Sequence, residues 1–154
     1  MSARSAFVGS LRFAFAVLLI VAGVAKLLAF PGFVAVVATY RSLPEALLYP
    51  VAVVLTAAEL AIGAWLLIGH RLVEAALATA LLHLGYLVWL ALALARGLEL
   101  SNCGCFGVFW PRSLTPWMLL EDGVLLALSL LLYLGARGRG SPEMSFGRDA
   151  RVGR

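Results

Sequence analysis

Apolar residues gather into four long runs, at about 7–30, 47–69, 72–95 and 114–136, each interrupted by few polar positions. A helix rises ~1.5 Å per residue, and about 20 apolar residues cross a hydrocarbon core. Each run is therefore expected to form one membrane-spanning helix. Between the first two runs the pattern changes. Phe33, Val36, Val37 and Tyr40 recur at i, i+3, i+4 and i+7, the apolar stripe of a short helix, which is expected to lie along the membrane interface as an anchored connector or a lid. Leu43-Pro44 then reads as a turn or the start of the next helix. The expected organisation is one four-span domain over 1–137 and a basic tail over 138–154, rich in Gly, Arg and Ser and expected to be disordered.

Composition narrows the class. Of the 154 residues, 63% are hydrophobic and 13% charged, whereas soluble domains carry about a quarter charged residues. A water-soluble globule is excluded, and the length allows one domain. The net charge of +4 does not point to nucleic acid, because most of the excess Arg lies outside the apolar runs. It is topology charge. With four spans, Arg4 and Arg12 share a side with Arg137, Arg139, Arg148, Arg151 and Arg154, and the positive-inside rule makes that side the cytoplasm. Both termini and the turn Gly69-His70-Arg71 are then cytoplasmic, and segments 31–46 and 97–113 face outward from the plasma (inner) membrane. A signal peptide is the alternative for the first run, with Gly23-Val24-Ala25 as its cleavage site. The run exceeds the usual core of ~7–15 residues, so it reads as a span.

The chain has two cysteines, Cys103 and Cys105, in the outer segment Ser101-Asn102-Cys103-Gly104-Cys105-Phe106-Gly107. Their expected position faces an oxidising compartment. A disulfide between residues i and i+2 needs a bent backbone, which Gly104 permits, and so small a ring is strained and readily exchanged. Thr115-Pro116 reads as an N-cap and first helical residue, turning a positive helix end toward the cysteines, and Arg112 lies nearby. Both features would favour a thiolate. The competing readings are an inert clamp, or two reduced thiols packed under Phe106 and Trp110. No metal site is expected. Tetrahedral zinc needs more ligands, His70 lies on the opposite side and His83 deep in the third run, and no Met cluster supports Cu(I).

Lys26, Glu59, His83, Glu121 and Asp122 fall inside apolar runs, where an isolated charge facing lipid costs roughly 2.5 kcal/mol or more. They are expected to face the bundle interior, Lys26 in the outer half and the others nearer the middle, with a Lys26–Glu59 ion pair. They either fix the bundle by interhelical hydrogen bonds or line a cavity that Tyr86 and Trp89 could wall.

The chain resembles the MauE/DoxX-like membrane proteins over about residues 10–135. Ala22-Gly23-Val24-Ala25-Lys26 is similar to the family's Ala-Gly-x-x-Lys, Tyr40-Arg41-Ser42-Leu43-Pro44 to its Tyr-x-x-Leu-Pro, and Glu59 with Gly63 to its Glu-x-x-x-Gly. Cys103 to Gly107 matches its Cys-Gly-Cys-Phe-Gly, the most specific element. The resemblance implies an all-α integral membrane four-helix bundle, distantly like vitamin K epoxide reductase bundles. It also implies a thioredoxin-like partner of the MauD type, and a role in disulfide formation or maturation of an exported protein. Two features depart from the pattern. Glu121-Asp122 stands where the family often has Arg followed by Asn or Asp, and there is no second Cys pair, so exchange with a partner would be direct. The leading expectation is a membrane thiol–disulfide oxidoreductase or its accessory subunit. The alternatives are a DoxX/DoxD-like quinone oxidoreductase subunit, with quinone as candidate cofactor, and a non-catalytic scaffold for a redox enzyme.

Overall fold

In the computed structural model, which describes residues 3–138, the chain forms five helices: α1 (Ala3–Leu28), α2 (Phe30–Thr39), α3 (Glu45–Ile68), α4 (Leu72–Ala95) and α5 (Pro116–Arg137). No strand occurs among the described residues. The expected tail lies, from residue 139 on, outside them. The four long helices each meet the length and hydropathy needed to cross a bilayer. Their outward surface carries many large apolar side chains, among them Phe13, Leu28, Val54 and Ile68, each more than half exposed. Surface of this kind in one continuous bundle requires lipid rather than water around it.

Breaks between helices follow from local chemistry. Pro31 has no N–H to give the carbonyl four residues back, and its ring crowds that carbonyl. The helix accordingly interrupts at Ala29 (φ −131°, ψ 49°) and resumes as α2 in a new direction. At the far end, Gly69 adopts the left-handed conformation (φ 74°) and gives its N–H to the Trp65 carbonyl, stopping α3. The Trp65 indole bonds the His70 carbonyl at 2.7 Å and pins that turn.

Helix α1 packs mainly on α3, and α4 mainly on α5. The α1–α3 seam is close because Gly23 lies against Leu60 and Glu59, and Gly63 against Ile20 and the Ala16 carbonyl. Small residues that admit neighbouring backbones are the usual means of helix association in lipid, where the hydrophobic effect gives no net drive. One apolar cluster, with Phe15, Leu19, Leu66, Ala76 and Leu132, fills the end near the Gly69 turn. A second, with Tyr40, Leu90, Cys103, Leu114 and Met118, fills the end near the long loop. Along α3 and α4 the polar residues Glu59 and Tyr86 fall between them.

The short helix α2 corrects one expectation. Its stripe is turned into the protein rather than toward lipid: Phe33, Val37 and Tyr40 are buried, and Val36 packs against the loop-end cluster. The stripe is the underside of a roof. Arg96 fixes the far edge of this roof, bonding the Tyr40 carbonyl (3.2 Å), the Arg41 carbonyl (3.0 Å) and Ser42 Oγ (2.7 Å).

A Cβ at Gly63 would stand 3.2 Å from the Ala16 carbonyl and 2.8 Å from Ile20 Cγ1. Gly63→Leu is expected to part the α1–α3 seam and to cost about 1–3 kcal/mol through overpacking. A lowered midpoint of thermal unfolding in detergent would register it, with Gly85→Leu, at a position where nothing lies near the added atom, as the control that leaves the midpoint in place.

Candidate functional site

The long loop between α4 and α5 is folded by short-range bonds rather than by packing alone. Leu114 N donates to the Leu100 carbonyl and Cys103 N to the Arg112 carbonyl, both at 2.8 Å, drawing the loop's two limbs together. Asn102 braces the turn between them. Its Oδ1 accepts the Gly104 N–H and its Nδ2 donates to the Gly107 carbonyl, both at 2.9 Å, an Asx turn extended across the Cys-Gly-Cys segment. Gly104 (φ 79°) and Gly107 (φ 63°) occupy left-handed conformations that favour glycine. Both also lie where a side chain would collide or crowd. A Cβ on Gly104 would meet Val36 of the α2 roof at 2.9 Å, and one on Gly107 would stand 3.3 Å from the Lys26 Cα. The loop is thereby seated down onto the ends of α1 and α2.

This seating places the sulfurs inside. Cys103 is 7% exposed and Cys105 half-buried. The two Sγ atoms lie 2.8 Å apart as free cysteines, within an ångström of the ~2.05 Å of a disulfide. Each flanking carbonyl is held by a side chain from another segment. The Tyr40 hydroxyl donates to the Cys103 carbonyl at 2.7 Å, and Lys26 Nζ donates to the Cys105 carbonyl at 2.7 Å.

The shared hydrogen bond makes the two thiols unequal. Donation from Cys105, opposed by burial and aided by the Cys105 backbone N–H and by Arg112, lowers the Cys103 pKa from 9.0 to about 7. Cys105 is pushed far above the thiol range by the same hydrogen bond and by burial. Tyr40 is also raised, by burial first and then by the neighbouring sulfurs, so its phenol keeps the proton it donates.

Beneath the loop is a polar centre. Lys26 and Glu59, each 2% exposed, pair at 2.6 Å to one carboxylate oxygen and 2.7 Å to the other. The Tyr86 hydroxyl donates to Glu59 Oε1 at 2.6 Å. The ammonium also stands 5.4 Å from the Phe33 ring centroid and 5.9 Å from that of Tyr86, within cation–π range. Next to this centre lies a cavity of about 290 Å³, walled by Phe33 and Tyr40 from above, Leu55 of α3, and Tyr86 and Trp89 of α4, with both cysteines at one end.

The other expected site residues divide. His83 is buried, but it bonds its own helix at Thr79 and meets Phe15 edge-on at 5.3 Å, among the apolar residues of the far end. Glu121 corrects the expectation of an interior, mid-membrane carboxylate. It sits in the second turn of α5, about a third exposed, and takes the Arg112 guanidinium in two bonds of 2.6 and 2.8 Å. Arg112 favours the Cys103 thiolate as expected, but its fork goes to Glu121, and that bond raises its own pKa. It acts on Cys103 only at longer range. Asp122 Oδ2 is buried with no hydrogen-bond partner. Thr115 is the N-cap of α5 but makes no side-chain cap bond, and Pro116 follows as its first residue. Phe106 is half-buried in the loop. Among the described residues no group of three or more His, Cys, Asp or Glu could hold a metal ion. Sequence reasoning missed the Tyr40 hydroxyl and Arg96. The Tyr-Arg-Ser-Leu-Pro segment contained the first, but a stripe of apolar positions does not announce a hydrogen bond.

The sequence profile of the family described as methylamine utilisation protein MauE matches residues 4–135. The methylamine utilization protein MauE of Paracoccus denitrificans is 36% identical over 129 residues, which span 82% of this chain and 68% of that protein. No solved structure matches the chain.

With Cys103 ionising at about 7, its alkylation by iodoacetamide in the reduced protein is expected to rise about tenfold per pH unit up to that point and then level off. Cys105 is expected to stay unmodified across the same range. Peptide mass mapping after timed alkylation distinguishes this from two equivalent thiols, which would rise together near pH 9.

Proposed function

The chain belongs to the MauE family, and from that premise we propose that it is a multi-pass membrane thiol–disulfide oxidoreductase, or the redox subunit of one, serving methylamine utilisation through exchange with a thioredoxin-like partner. The observation that carries the reading is the sulfur pair itself: two free thiols 2.8 Å apart, one with its pKa near neutrality and the other held as a thiol. An inert clamp has no use for that inequality. Exchange does, because the thiolate is the attacking species and its efficiency is greatest when its pKa lies near the ambient pH.

In the proposed sequence the Cys103 thiolate attacks one sulfur of a partner disulfide, and the other partner sulfur leaves as a thiolate. Cys105 then gives its proton to water or to that leaving thiolate and attacks the Cys103 sulfur, releasing the second partner sulfur. The products are a Cys103–Cys105 disulfide and a reduced partner, with two electrons passed from the pair to the partner. The reverse sequence returns them when the partner arrives reduced. Because Cys103 is nearly enclosed under α2, a partner sulfur reaches it only as loop and roof part. The Arg placement supports a loop on the extracytoplasmic side and termini in the cytoplasm, where such exchange is chemically at home.

A second reading, a quinone oxidoreductase subunit, is favoured by the cavity. Its 290 Å³ lies at the lower end of small-molecule sites, enough for a flat ring head, and Phe33, Tyr40, Tyr86 and Trp89 could stack on one. A quinone held there would supply two-electron, two-proton acceptance beside the thiols. The two readings separate cleanly: the second survives replacement of both cysteines, the first does not.

Cys105→Ser removes the resolving sulfur and is expected to accumulate a mixed disulfide between Cys103 and a thioredoxin-like protein, visible by non-reducing electrophoresis and mass spectrometry of membranes. Cys103→Ser is expected to accumulate little. If Cys105→Ser traps no partner while growth on methylamine survives loss of both cysteines, exchange is wrong and the scaffold or quinone reading takes its place.

A further inference from the structure

A buried ion pair is weak evidence of a stabilising device, because desolvating two charges often costs more than their attraction returns. Lys26 and Glu59 are each 2% exposed, and the lysine does something a simple pair does not require. It has three N–H donors, and all have acceptors: the two oxygens of Glu59 and the carbonyl of Cys105, 79 positions away in sequence. The last bond fixes the peptide that carries one of the two sulfurs.

We propose that Lys26 is a positioning residue for the sulfur pair, fixing the Cys-Gly-Cys turn through the Cys105 carbonyl and lending it a positive charge that Glu59 and Tyr86 meter. The inference rests on the exchange reading and names what sets the reactivity of that site. Charged and titratable groups act on the pair from several elements: Lys26 on α1, through Cys105, Tyr40 at the end of α2, Tyr86 on α4, Arg112 in the loop and Asp122 on α5, while Glu59 on α3 is joined to the pair through Lys26. Tyr40 and Tyr86 are hydrogen-bond donors, to the Cys103 carbonyl and to Glu59. Asp122 opposes a negative sulfur. Of the two cations, Arg112 is drawn off to Glu121 where solvent screens it, with both side chains more than a third exposed. Lys26 is enclosed, where a charge acts with little screening, and it acts on Cys105, whose hydrogen bond to Cys103 carries the effect across the pair. Its effect on the sulfurs is limited by the carboxylate that shares it.

This arrangement predicts opposite signs from the two ends of one ion pair. In Glu59→Gln the ammonium is no longer neutralised, so a thiolate at the pair is better stabilised. In Lys26→Met the carboxylate is left without its cation and the thiolate is less stable. A purely structural role would move both variants the same way, since each breaks the same pair.

The test uses the purified, reduced full chain in lipid nanodiscs, with iodoacetamide alkylation of Cys103 followed against pH. Glu59→Gln is expected to move the profile toward lower pH. At a fixed pH below the midpoint, alkylation then runs about tenfold faster for every pH unit by which the midpoint falls. Lys26→Met is expected to move it toward higher pH by a similar factor, and Lys26→Arg to stay near the wild-type profile. Because Lys26→Met buries a lone carboxylate and could fail to fold, Lys26→Met/Glu59→Gln supplies a neutral pair that is expected to move to higher pH as well. In a second readout, equilibrium with dithiothreitol, Glu59→Gln is expected to be reduced at lower dithiothreitol and the double variant at higher. Movement in one direction by both Glu59→Gln and the double variant, or no movement in either, overturns the proposal. Alkylation needs no partner, so opposite movements together with failure to trap any mixed disulfide would sink the exchange reading and leave the control of the thiols by Lys26 standing.

Discussion

A lysine ammonium inside a bilayer must have its charge and all three N–H groups answered by the protein, and in this molecule that single requirement ties the chain together. Lys26 on α1 finds Glu59 on α3, Glu59 finds Tyr86 on α4, and the remaining N–H reaches the Cys105 carbonyl in the loop that leads to α5. Three spans and the one long loop thus meet around one centre. An unsatisfied donor at that depth would cost several kcal/mol, so the loop is pulled inward rather than left to float at the surface.

The rest of that end of the bundle follows from accommodating that loop. Gly107 lets it press against the α1 backbone, Gly104 lets it pass beneath Val36, and Asn102 keeps the turn between them closed. The break at Ala29 and Pro31 sends α2 across the top, where Tyr40 bonds the Cys103 carbonyl and Arg96 anchors the roof's far edge. The result is a pair of sulfurs enclosed on one side by a roof and on the other by an aromatic cavity. Two environments meet at the pair: a polar one that favours a thiolate, and an apolar one that does not. The hydrogen bond between the sulfurs makes the two cysteines chemically distinct, and these environments add to it.

Legibility in the sequence varied by the range of the interaction concerned. Four spans, the Gly69 turn and the start of α5 at Pro116 were readable because each depends on residues adjacent in sequence, through helix length, a left-handed glycine or a proline at a helix start. The Lys26–Glu59 pair was readable for a related reason: charges in an apolar run have few places to go, and the topology brings those two to one level. The membrane family was readable from Cys103 to Gly107 and the lysine and glutamate motifs, and the chain is indeed a MauE-family member.

Other features were settled only by packing. An amphipathic stripe looks the same whether it rests on lipid headgroups or roofs a cavity, so the place of α2 could not be read from Phe33 to Tyr40. Glu121 and Asp122 are neighbours in one apolar run, yet a helical rotation of about 100° per residue sends the first to Arg112 at the edge and buries an oxygen of the second. The burial of Cys103, one of two readings the sequence left open, was likewise decided by packing. Sequence determined which groups carry charge, sulfur and backbone freedom, because these are properties of single residues and short spacings. The fold decided which of them touch, because a hydrogen bond between positions 26 and 105 exists only once helices far apart in sequence have closed around it.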